Sequence, residues 1–191
     1  MSKILVRVFF VFSILLSCAY YAKAESTVEQ LIEEYLKDNS CANTFDCMSP
    51  FYYKIADKGP DAVVPLLEAL GNKETLYVQH RLDFIYLLGM IGDTNAYSAL
   101  RAVFLKNTDY QDAHMWRLAI SLGACLGEEN IDDFVVLVVR DAADGALRAL
   151  REMSGQDFGQ NEEQWAAYLN TAGHLETFRA NCRERSKPIL G

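Results

Sequence analysis

Gly59-Pro60-Asp61-Ala62-Val63-Val64-Pro65-Leu66-Leu67-Glu68-Ala69-Leu70-Gly71 is followed by the polar linker Asn72-Lys73-Glu74-Thr75. A longer segment from Leu76 to Ile91 then ends Leu87-Leu88-Gly89-Met90-Ile91-Gly92-Asp93. The apolar residues of both segments recur at helical spacing, and each segment stops on a glycine, the residue that most readily ends a helix. A short amphipathic helix, a linker and a longer helix make a helical hairpin. An isolated hairpin buries only one face of each helix, so its apolar stripes need neighbours.

Those neighbours are legible on both sides. Downstream, Ala96, Leu100, Val103, Phe104 and Leu105 predict a first helix, and Trp116, Ile120 and Leu126 a second that ends at Gly127, with a linker at Asn107 to Asp109 between them. Ile131, Phe134, Val135, Leu137 and Val138, a break near Asp141, and Ala146, Leu147, Leu150 and Met153 before Gly155 predict another pair. The glycines at 92, 127 and 155 are 35 and 28 residues apart, a period in the range of stacked helical hairpins. Upstream, Ser26-Thr27-Val28-Glu29 is a capping box that opens a helix over about 27–38, with Val28, Leu31, Ile32, Tyr35 and Leu36 on one face. Ser49-Pro50 starts a second helix with Phe51, Tyr52, Ile55 and Ala56 as its buried stripe.

The Gly59–Leu70 segment, Arg81 and the Leu87-Leu88-Gly89-Met90-Ile91-Gly92-Asp93 ending resemble the HEAT repeat family, in particular its short bacterial variants. Leu122-Gly123-Ala124-Cys125-Leu126-Gly127 repeats the ending with one residue inserted. Ala149-Leu150-Arg151-Glu152-Met153-Ser154-Gly155 keeps only its last apolar residues and glycine. The resemblance covers residues 59–155. It implies an all-α, right-handed stack of antiparallel hairpins, an α-α superhelix in which the second helix of each hairpin lines a concave face that carries binding. On that implication the solvent-facing residues Tyr77, His80, Asp83, Gln111, His114, Asp141 and Asp144 are the expected partner-binding face.

Asn161 and Gln164 form another capping box ahead of Trp165, Tyr168 and Leu169, and a helix within 156–173 is expected to cover the end of the stack. Residues 174–191, with Arg179, Arg183, Arg185 and Lys187, read as a polar, basic, flexible tail.

The ends set the address. Lys3 and Arg7 precede an apolar run from Val8 to Leu16, and Ala22-Lys23-Ala24 is a small-x-small cleavage site, so residues 1–24 read as a cleaved bacterial secretory signal. The apolar run is well short of the roughly 20 residues that span a bilayer. Leu15-Leu16-Ser17-Cys18 also resembles a bacterial lipobox, under which Cys18 would be the lipidated first residue of a membrane-anchored protein. The expected location is therefore periplasmic or secreted.

Cleavage after Ala24 leaves 167 of the 191 residues, enough for one domain with a sizeable core. It also moves the formal charge from -8 to -11, because Lys3, Arg7 and Lys23 leave and no carboxylate does. An acidic surface argues against nucleic acid and anionic membranes as partners; it either only keeps the protein soluble or faces a protein partner that is basic. Four cysteines remain after cleavage, and an even number in an exported chain favours disulfides over metal ligands. Cys41 and Cys47 close a short loop between the first two helices of the 25–58 unit and are the expected bridge. Cys125 reads either as a small buried hydrophobe or as the partner of Cys182.

Catalytic patterns are missing. The three histidines, His80, His114 and His174, are isolated in sequence, and neither a nucleophile elbow, a Cys-x-x-Cys motif nor a phosphate-binding glycine loop occurs. Pairs such as Asp132-Asp133 and Glu162-Glu163 sit at helix starts, where the helix dipole favours negative charge. No metal, cofactor or enzymatic activity is expected. The reading is an exported interaction module, with two narrower versions: an immunity or inhibitor protein that neutralises a periplasmic toxin or hydrolase, and a lipoprotein scaffold of an envelope complex.

Overall fold

The computed structural model describes residues 25–38, 50–71, 78–106, 112–140 and 144–187. Residues 1–24, expected to be a secretory signal, with Cys18 among them, and the Cys41–Cys47 loop lie outside them. Among the described residues the chain is all-α, with ten α-helices and no strand: α1 (Val28–Lys37), α2 (Pro50–Ala56), α3 (Val63–Gly71), α4 (Val78–Ile91), α5 (Tyr97–Lys106), α6 (Asp112–Ala124), α7 (Ile131–Val139), α8 (Asp144–Ser154), α9 (Glu162–Leu169) and α10 (His174–Ser186). Single 3-10 turns lead into α3, α5 and α7.

The predicted stripes are the core. Val28, Leu31, Ile32 and Tyr35 of α1 and Tyr52 and Ile55 of α2 are buried, and α1 packs on α2 and α3 while α2 reaches α4. The box that opens α1 is set one residue later than the sequence suggests: Thr27 accepts from the Gln30 amide at 3.3 Å, and the Gln30 side chain accepts from the Thr27 amide at 3.0 Å. Thr27 stands directly before Val28, so it, rather than Ser26, has the geometry to satisfy an orphan amide of the first turn.

Helices α3 and α4, α5 and α6, and α7 and α8 pack against one another as pairs, and α4, α6 and α8 pack in that order. Helix α6 is the centre of the molecule, flanked by α4, α5, α8 and α10. This explains why Leu118 to Leu126 are buried without a break, down to Gly123 and Cys125. The part of a helix that is enclosed on all sides has no polar face to reveal its orientation in the sequence. Close approach of α4 and α6 depends on Gly89, where an added Cβ would stand 2.8 Å from the backbone of Ser121.

Two of the three glycine stops behave as expected. Gly92 and Gly155 take φ of +67° and +69°, the left-handed conformation that ends a helix and that L side chains rarely adopt. Gly127 does not. Helix α6 ends at Ala124, Cys125 forms the turn, and Gly127, at φ -89°, leads into the next 3-10 turn. The residue inserted in the second copy of the motif displaces the glycine past the helix end.

Residues 174–187, expected to be a flexible tail, form a packed helix and its cap. Leu175, Phe178, Cys182 and Ser186 of α10 are buried, and α10 packs on α4, α6, α8 and α9. Phe178 lies against Gly123 and Arg185 over the Trp116 ring, so α10 runs antiparallel along α6. The stripe that buries it is one residue wide, four side chains spaced 3, 4 and 4 apart among charges. Composition hides such a stripe, and only a matching groove shows that it suffices. Helix α9 packs on α7 and α10. Trp165 is fully buried, its Nε1–H donates to the Gly159 carbonyl at 2.9 Å, and Phe158 meets it edge-on.

Cys125 and Cys182 are both buried free thiols, not a disulfide. The Cys125 thiol donates to the Leu88 carbonyl at 3.4 Å, and the Cys182 sulfur packs beside Gly123. Burial pushes Cys125 up to about 12 and Cys182 well above the ordinary thiol range. Parity suggested pairing, but each sulfur fills core volume as a small apolar group.

Candidate functional site at the second helices

Of the seven residues expected to form one binding face, four are described, and one of these does not face solvent. Tyr77, Gln111 and Asp141 lie outside the described residues. Asp83 is buried at 8 % exposure and accepts a hydrogen bond from the Tyr35 hydroxyl, so it joins α4 to α1 instead of facing solvent. Burial, reinforced by the Asp83 carboxylate, drives the Tyr35 hydroxyl far above its ordinary pKa, and burial does the same to neighbouring Tyr52. His80 is half-buried with its ring edge-on to Tyr35, centroids 5.4 Å apart. His114 is half-buried on α6, and Asp144 is exposed at the start of α8. The repeat resemblance implied a solvent-facing Asp83, and nothing in the sequence showed that α1 docks there.

What the fold does assemble is an arginine and aromatic cluster on α4, α6, α8 and α10. The half-buried Trp116 ring has the Arg185 guanidinium of α10 at 5.2 Å and the Arg148 guanidinium of α8 at 6.0 Å, and its Nε1–H donates to Glu152 at 3.1 Å. Next to it on α6, Arg117 lies over the Tyr86 ring of α4 at 5.0 Å. Guanidinium groups stack on aromatic faces through the ring quadrupole and hold both partners in place while leaving N–H donors free for a ligand. Trp116 was read from sequence only as a core residue of its hairpin. The cluster needs side chains from four helices, so no local pattern signals it.

Charge is distributed unevenly. Helices α4, α6, α8 and α10 hold seven arginines against six carboxylates, whereas α1, α3, α5, α7 and α9 hold eight carboxylates against three lysines and arginines. The acidity of the chain therefore resides away from the second helices. Between α5 and α7, Asp133 accepts from Arg101 through two nitrogens at 2.7 Å each and from the buried Tyr97 hydroxyl at 2.9 Å. The Arg101 hydrogen bonds hold the Asp133 carboxyl below its usual range. This is a clamp between hairpins.

Among the described residues no group of three or more His, Cys, Asp and Glu side chains is placed to hold a metal ion, and no helix is long and apolar enough to cross a membrane. A cleft of about 180 Å³ opens between α3, α4 and α5. No protein-family model, curated protein or solved structure matches the chain.

Proposed function

We propose that the protein is an exported, non-catalytic interaction module, built as a HEAT-like right-handed stack of helical hairpins, which binds another protein around Trp116. The observation that carries this reading is the Trp116 cluster, with Arg148, Arg185 and Glu152 about one ring and the Arg117–Tyr86 stack beside it. Tryptophan, tyrosine and arginine are the residue types on which binding energy concentrates. Rings already held by cation stacking lose little rotamer freedom when a partner docks. The partner surface that suits this face presents carboxylates beside apolar groups, while the carboxylates of α1 and the first helices keep nucleic acid away.

The test is a quantitative capture from bacterial envelope extract with wild-type protein, Trp116→Ala, Arg117→Gln and the remote control Glu33→Gln, each first shown to be folded by circular dichroism. A partner lost with the first two variants and retained by the control supports the reading. Equal recovery by all four sinks it. The address is tested separately by the mass of the exported chain: a first residue of Glu25 supports the secretory reading, and a lipid on Cys18 replaces it with an anchored one.

A further inference from the structure

Apart from the Trp116 face, the cleft between α3, α4 and α5 joins an apolar lining to two cations that have no ion-pair or ring partner among the described residues. Leu67, Leu70, Ala102 and Val103 line it together with Arg81 of α4 and Lys106 at the end of α5. Among the described lysines and arginines, eight form ion pairs and three more lie over aromatic rings. Three are left, Arg81, Lys106 and Arg183, with neither kind of partner among the described residues. Arg183 packs its stem over Gly92, and the other two share this cleft. Arg81 is half-buried, and among the described residues its guanidinium lacks the interaction with an acceptor. An anion set against apolar surface restores that interaction, because charge-assisted hydrogen bonds strengthen where water is thinned.

We propose that this cleft binds a small apolar carboxylate, a monoanion whose charge meets Arg81 and Lys106 and whose hydrocarbon tail lies against Leu67, Leu70 and Val103. Size selects the tail. A dry cavity of about 150 Å³ accepts a six-carbon ring, so 180 Å³ suits roughly six to eight carbons. Longer acyl chains run out of cleft. Shorter acids leave it underfilled.

Octanoate is titrated calorimetrically into the protein as exported by a bacterial host, with octanol and octylamine carrying the same tail without the negative charge. The expected result is one site per chain, with octanol and octylamine at least about tenfold weaker and Arg81→Gln and Lys106→Gln each weakening octanoate by about tenfold. Ala102→Trp, at an exposed position on α5, is expected to fill the cleft and abolish binding. Lys106 and Ala102 are both exposed, so those two variants decide the matter if Arg81→Gln fails to fold. No measurable octanoate binding, octanol binding as tightly as octanoate, or affinity unchanged in Lys106→Gln and Ala102→Trp would each overturn the proposal. So would an acetylated dileucine peptide acid that binds far more tightly with the same cation dependence, because the site would then belong to a peptide terminus.

Discussion

Replacing Gly89 by alanine tests the packing of α4 on α6 against a competing local effect. In an isolated helix the change is favourable by about 1 kcal/mol, because alanine loses less backbone entropy than glycine. Here the new Cβ would stand 2.6 Å from Ser121 Oγ and 2.8 Å from both Ser121 Cβ and Cα. Carbon atoms rest at about 3.5 Å or more, so the helices must separate by roughly 0.7 Å, and the Ser121 backbone cannot rotate away as a side-chain tip can. Overpacking of this kind costs about 1–3 kcal/mol, and a clash with backbone places it at the upper end. The net expectation is a loss of about 1–2 kcal/mol, or a Tm lowered by about 2–8 °C for a chain of this size. Gly71→Ala is the control, since a Cβ there meets nothing within 4 Å, and it is expected to be neutral or stabilising. Ser121→Ala in the Gly89→Ala background should recover only part of the loss, because it relieves the clash with the hydroxyl and leaves the clash with the backbone. Thermal and urea unfolding followed by circular dichroism measure all of these. A Gly89→Ala Tm at or above that of the wild type would show that α4 and α6 do not approach this closely.

The buried thiols make stability fall at alkaline pH. Cys125 is raised from 9.0 to about 12, so its contribution is complete below about pH 9 and lost as pH rises toward 12, and the urea midpoint should decline over that window while both thiols resist alkylation in the native state at pH 8. Asp133 runs the other way: its carboxyl is depressed by Arg101, so its contribution is present above its unfolded value near 3.8 and lost as pH falls through the lower folded value. Asp133→Asn should lower stability by about 1 kcal/mol, because the pair is more than a third exposed and the Tyr97 hydroxyl keeps one acceptor, and it should shift the acid limb of the unfolding profile. Phe178→Ala should cost about 3–5 kcal/mol and raise hydrogen exchange across 174–187, since Phe178 is 2 % exposed against Gly123 and Phe134; a surface-sized loss would mean that α10 is not docked.

Helical periodicity and helix stops were enough to determine that the chain is helical, which residues form most of its core, and roughly where the pairs begin and end. Val28, Leu31, Leu66, Leu88, Leu100, Phe134 and Leu150 all lie in the interior where their spacing puts them, because an apolar stripe has one low-energy orientation whatever it meets. Tertiary structure alone decided which surfaces remain. Asp83 is drawn inward by Tyr35, 48 positions earlier, and Trp116 becomes the centre of an arginine cluster whose members come from residues 116, 148, 152 and 185. The charged segment after Gly173 became part of the core because α4, α6 and α8 present a groove that its four buried side chains fill. Local spacing encodes which face of a helix is apolar. What docks on that face, and what is left in water, depends on meetings between segments distant in sequence.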